Sequence, residues 1–155
     1  GPLYLERLFK LASVYEVELK DTERALNHYR EVLKRDLHHQ EAFDRVRQLL
    51  TAESRWSDLA EVLLRFAERA SNNAEPESER IRRLELYIEA GECYQHKLSN
   101  DAKAINAWFR ALELEPEDKR VFVRLIEVLA VMGVVMVLTV LLVLVVLRKR
   151  SNSDD

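Results

Sequence analysis

Residues 84–116 read LELYIEAGECYQHKLSNDAKAINAWFRALELEP, and this stretch decides the fold. Tyr87, Ala90, Gly91 and Tyr94 recur at helical spacing and share one face of a first helix; Ala104, Trp108 and Ala111 do the same on a second. Between them, Leu98, Ser99, Asn100 and Asp101 supply turn chemistry, and Pro116 marks the end of the second helix. Small residues opposite aromatic ones let two antiparallel helices approach closely while the rings fill the remaining gaps. The stretch therefore predicts a tight helical hairpin.

The same pattern returns along the chain. Leu8, Leu11, Ala12 and Tyr15 precede Ala25, Tyr29, Val32 and Leu37, and Phe43, Val46 and Leu50 precede Ala60, Leu64 and Ala67. The anchors Leu8, Phe43, Tyr87 and Phe122 stand 35, 44 and 35 residues apart. The nine extra residues of the middle interval are assigned to Ala70–Glu79, ASNNAEPESE, a polar connection over the surface. One hairpin cannot bury its apolar face alone, so three or more must stack into a continuous core.

On these residues the chain resembles the tetratricopeptide repeat family over most of residues 3–129. In residues 84–116 only the interval from Tyr94 to Ala104 departs, being one residue longer, which is assigned to the turn around Leu98 to Asp101. The resemblance implies an all-α, right-handed solenoid of about three and a half hairpins that holds proteins or peptides on a concave face lined by each first helix. It implies no catalysis. Mapped onto that face, the inner offsets are Glu6, Phe9, Ser13 and Glu16; Glu41, Asp44, Gln48 and Thr51; Glu85, Ile88, Glu92 and Gln95; then Arg120, Val123 and Glu127. Acids dominate, so Glu6, Phe9, Glu16, Glu41, Asp44, Glu85, Ile88 and Glu92 are the candidate partner-binding residues, and a basic segment with apolar anchors is the expected ligand. One subtype of the family clamps a chaperone's terminal carboxylate with Lys, Asn and Arg. Here those offsets hold Phe9, Ser13, Arg45, Glu85 and Glu89, and two acids there oppose an acidic ligand.

Composition narrows the field. A formal net charge of −3 gives no pull toward nucleic acid, and three glycines with three prolines suit long helices joined by few turns. The single cysteine, Cys93, reads as a small packing residue, and His38-His39 as turn and cap residues. Glu115, Glu117 and Asp118 around Pro116 read as a helix start. The sequence has no Gly-rich phosphate loop, His-Glu-x-x-His helix or Gly-x-Ser-x-Gly elbow, so neither an enzyme nor a cofactor is expected. No signal peptide is read at Gly1-Pro2-Leu3, which lacks an initiator Met, and the natural start is left open.

The other decisive stretch is 128–147, VLAVMGVVMVLTVLLVLVVL, uncharged and closed by Arg148-Lys149-Arg150. As a helix it is about 30 Å long, the thickness of a bilayer's hydrocarbon core. Val134, Val137, Leu141 and Leu144 are then candidate membrane residues, with Arg148, Lys149 and Arg150 at the interface. The expected organisation is a repeat domain at 1–127, an apolar anchor at 128–150 and a polar tail at 151–155. Lys119, Arg120 and Arg124 before the run balance the three basic residues after it, so charge does not orient it. A tail anchor with cytoplasmic repeats is expected, because repeats of this kind mostly work in the cytosol. The expected function is a membrane-tethered adaptor. The alternative reads 134–147 as a second repeat helix after a turn at Gly133, making a soluble scaffold, or a piece of a longer array, that forms homo-oligomers through this helix.

Overall fold

The structure, a computed structural model, describes residues 1–68 and 75–153. Among these residues there is no strand. Seven helices follow in order: α1 (Pro2–Val17), α2 (Thr22–Arg35), α3 (Gln40–Ala52), α4 (Trp56–Ala67), α5 (Glu77–Glu92, prolonged by a π-helical turn Cys93–Lys97), α6 (Asp101–Leu114) and α7 (Lys119–Ser151). Each helix packs chiefly on its neighbours in sequence, the one-dimensional arrangement of a solenoid.

The repeat pattern explains the core. Ala12, Ala25, Ala60, Gly91 and Ala104 are all buried at the helix crossings, and Tyr29, Tyr94 and Trp108 are buried beside them. Tyr15 is only half-buried and stacks on His28 at 5.3 Å. The third hairpin is the tightest. A Cβ on Gly91 would sit 2.1 Å from Nε1 of Trp108, so the indole occupies space that only glycine leaves open. That ring is fully buried, and its N–H finds no acceptor among the described residues. Apolar burial holds it, at the cost of one orphaned donor.

Helix starts are fixed by short polar side chains. Asp21 accepts from the Arg24 N–H at 3.0 Å to cap α2, and Asn100 accepts from the Lys103 N–H at 3.0 Å to cap α6. His39 caps α3 through Nδ1, 3.2 Å from the Ala42 nitrogen. Asp118 caps α7, accepting from the Arg120 and Val121 amides at 2.9 and 3.2 Å. Within each hairpin the turn passes through one left-handed residue, Lys20, Ser54 or Ser99, with no glycine at any of the three.

Two details differ from the sequence reading. The extra residue between Tyr94 and Ala104 is absorbed one turn earlier than expected, in the π-helical turn where the Leu98 N–H donates to the Cys93 carbonyl at 3.2 Å. The first hairpin has the same offset from Tyr15 to Ala25 and closes in the same way, with Leu19 donating to the Val14 carbonyl at 3.1 Å. Of the insertion assigned to 70–79, residues 70–74 lie outside the described residues, while Glu77, Ser78 and Glu79 already belong to α5. Arg83 joins the described residues on either side, donating to the Ala67 carbonyl at 2.7 Å and to both Glu75 oxygens at 3.0 Å.

The last helix resolves the choice at Gly133. α7 runs unbroken from Lys119 to Ser151, so Gly133 is mid-helix and no turn starts a fourth second helix there. Val121, Leu125 and Val128 are buried where α7 packs on α6. Every residue from 129 to 147 is exposed, whichever way it points. Ser151 closes the helix, and of the polar tail Asp154 and Asp155 lie outside the described residues.

Candidate functional site

The inner surface of the solenoid forms a groove of about 650 Å³ between the first helices α3, α5 and α7. Its floor is apolar, with Phe43, Leu86 and Ile88 all buried in the core. Its walls are charged and cross-linked from helix to helix. Arg47 of α3 forks onto Glu89 of α5, with Nε donating to Oε1 at 3.0 Å and Nη2 to Oε2 at 2.6 Å. Arg82 of α5 donates to the Gln40 side-chain oxygen of α3. Arg120 of α7 reaches Glu85 at 2.8 Å, and Arg124 pairs with Glu92. Asp118 and Glu85 together hold the Arg120 guanidinium above its ordinary pKa. These pairs are half-exposed, so each contributes on the order of 0.2–1 kcal/mol and mainly sets the register of neighbouring helices.

The structure gathers some of the predicted residues and scatters others. Glu85, Ile88 and Glu92 line this groove, and Asp44 lines a shallow extension with Arg47, Gln48 and Thr51. Asp44 accepts from Gln40 Nε2 at 2.8 Å. Glu41 is exposed at the start of α3. The three residues from α1 lie apart from the groove. Glu6 pairs with Lys10 one turn on at 2.8 Å, and Phe9 is half-buried against the Tyr29 and His39 rings at 5.3 and 5.1 Å. Glu16 accepts from the Tyr29 hydroxyl at 2.7 Å and lies 3.5 Å from Arg45. Burial, then this bond to a carboxylate, pushes the Tyr29 phenol well above its usual pKa.

The charge of the groove also differs from the expectation of an acidic face. Three glutamates, Glu85, Glu89 and Glu92, meet four arginines, Arg47, Arg82, Arg120 and Arg124. Inner offsets taken from one position per turn passed over Arg47, Arg82 and Arg124. The signal available in sequence was opposite charge at matching repeat positions: Glu85 and Arg120 stand 35 residues apart, one repeat length.

Cys93 and His39 make structural contacts. The Cys93 thiol is buried, donates to the Trp56 carbonyl at 3.4 Å and has its pKa pushed up by burial, which makes it a poor nucleophile. His39 acts as a helix cap stacked on Phe9.

The arrangement defines the class of protein: a right-handed α-solenoid of tetratricopeptide-like hairpins with a long apolar helix at its C-terminal end. Two solved structures of tetratricopeptide type are similar to its helical-repeat fold. MamA is 16% identical, with a TM-score of 0.51, covering 86% of this chain and 71% of its own. The N-terminal domain of stress-induced protein-1 (STI-1) from C. elegans is also 16% identical, with a TM-score of 0.53, covering 81% of this chain and 94% of its own. No family profile and no curated protein sequence matches the chain.

Proposed function

We propose that this protein is a membrane-tethered scaffold that holds a protein segment in the groove between α3, α5 and α7. The observation that carries the reading is the second half of α7, which is apolar on every side, covered by nothing in the fold, and continuous with a helix docked on the solenoid. Such a surface in water is a liability, and a bilayer is the environment that suits a helix of this length and composition. Val134, Val137, Leu141 and Leu144 then face acyl chains, and Arg148, Lys149 and Arg150 sit among headgroups on the far side. Under this reading the division is a solenoid at 1–127, an anchor at 128–150 and a tail at 151–155, with Val128 at the junction still packed on the solenoid.

The absence of a break in α7 has a functional consequence under it. Arg124 lies four residues before Val128, about 6 Å along a helix, so the charged groove opens close to the membrane surface. Its ligand is a segment of another protein near the same surface. That segment carries both charge signs, exchanges the groove's own Arg–Glu pairs, and places one or two apolar side chains on the floor of Phe43, Leu86 and Ile88. The solenoid faces the cytoplasm.

Alkaline carbonate extraction of the full chain beside a version truncated after Ala130 tests the tether. Retention of the full chain in the membrane pellet with a soluble, helical, monomeric truncation is the expected result. A full chain that is soluble without detergent, and forms an oligomer that the truncation dissolves, would overturn it in favour of a scaffold assembled through α7.

A further inference from the structure

The exposed face of α1 has a counterpart in each of the other first helices among the described residues, and there it is buried at every position but Leu49, which is partly buried. Counting from the anchors Leu8, Phe43, Tyr87 and Phe122, the same two later positions hold Leu11 and Val14 in α1, Val46 and Leu49 in α3, Ala90 and Cys93 in α5, and Leu125 and Val128 in α7. In α3, α5 and α7 these positions belong to the core, with only Leu49 partly buried, and each of these helices contacts the second helix of the preceding hairpin: α2, α4 and α6 in turn, as where Cys93 donates to the Trp56 carbonyl of α4. In α1 the matching pair stays apolar yet is 41% and 44% exposed. Apolar side chains held at interface positions with no interface present mark a surface whose partner helix is missing.

We infer that this face of α1 seats the second helix of a further hairpin of the same kind, stacked ahead of α1 in the same polypeptide. The geometry favours this occupant over a second copy of the chain. In a second copy the matching faces of α2, α4 and α6 are already taken by α3, α5 and α7. The incoming helix is amphipathic, apolar opposite Leu11 and Val14. It also meets Arg7, which stands where Ala42, Leu86 and Val121 are buried and forms no salt bridge among the described residues. A carboxylate on the incoming helix satisfies that guanidinium.

Tandem duplication of residues 5–39 in the full chain supplies such a helix, because the copy of α2 and its Asp36–His39 turn then lead into the original Leu5 at the spacing found between the first two hairpins. Leu11→Lys is placed in the original α1 of both the duplicated and the unduplicated protein, in the same detergent. In the unduplicated chain the melting midpoint moves by less than about 2 °C, as for an exposed site. In the duplicated chain it falls by about 5 °C or more, because the charge is then buried without a partner. Equal small shifts in both, or a duplicated chain that does not fold, overturn the inference. So does an oligomer of the unduplicated chain that Leu11→Lys dissolves, since a second copy would then be the occupant.

Discussion

Residues 119–128 and 129–147 belong to one helix, α7, and obey different rules. The first part is amphipathic: Val121, Leu125 and Val128 are buried against α6, while Lys119, Arg120, Arg124 and Glu127 face solvent or α5. The second part is the more apolar of the two, and none of it is buried. Burial therefore does not follow hydrophobicity. It follows whether a neighbouring helix stands opposite, and the solenoid ends where α6 ends.

If the two parts are held by different environments, damage to one should leave the other intact. The largest effect is expected from Trp108→Ala, which removes the fully buried ring beside Gly91 and should destabilise the solenoid by about 3–5 kcal/mol, read as a lowered melting midpoint in detergent. Membrane retention should persist in that variant wherever it is still expressed. Val137→Arg is the reverse experiment. A central charge costs about 2.5–3.5 kcal/mol on insertion scales, so the protein should leave the carbonate-resistant pellet with its solenoid melting midpoint unchanged. A variant that still partitions with membranes would break the distinction.

Smaller effects sharpen it. Gly91→Ala pushes a methyl group into the Trp108 ring and should cost about 1–3 kcal/mol, with part of the loss recovered when Trp108→Leu is added. Simple additivity of the two would mean that the ring does not rest on Gly91. Asp118→Ala removes the cap of α7 and should cost about 1 kcal/mol by thermal or denaturant melting. The contribution of Asp118 also has a sign in pH. Hydrogen bonds from the Arg120 side chain, then from the Val121 and Arg120 amides, hold its carboxyl below the usual range. The stabilisation is therefore present above about pH 4 and is lost as pH falls through the lowered folded-state value. Smallest of all, Arg47→Gln should change stability by less than about 1 kcal/mol, with the difference shrinking further in high salt.

Much of the solenoid was legible because its side chains repeat. Ala12, Ala25, Ala60, Gly91 and Ala104 occur where helices must touch, and no other common surface or core pattern returns small and aromatic residues at a fixed interval. The groove was less legible. Glu85 and Glu92 are plain in sequence, but whether they make an acidic surface depends on Arg120 and Arg124 across the gap, and on Arg47 and Arg82 at offsets that a one-per-turn reading passes over. Phe9 and Glu16 lie on α1 at inner offsets, yet Tyr29, His39 and Arg45 from neighbouring helices engage them.

By itself the sequence determined the helical hairpins, their period and the apolar run, because these rest on local spacing and on residue volumes that recur along the chain. Only the tertiary structure decided three other things. α7 runs straight through Gly133 because nothing packs there to reward a turn, and a helix keeps its hydrogen bonds by continuing. The groove is charge-compensated because salt bridges form across helices that the sequence keeps 32 to 42 residues apart. The outer face of α1 is bare because burial needs a second surface, and that requirement is visible only once every other first helix is seen with its neighbour in place.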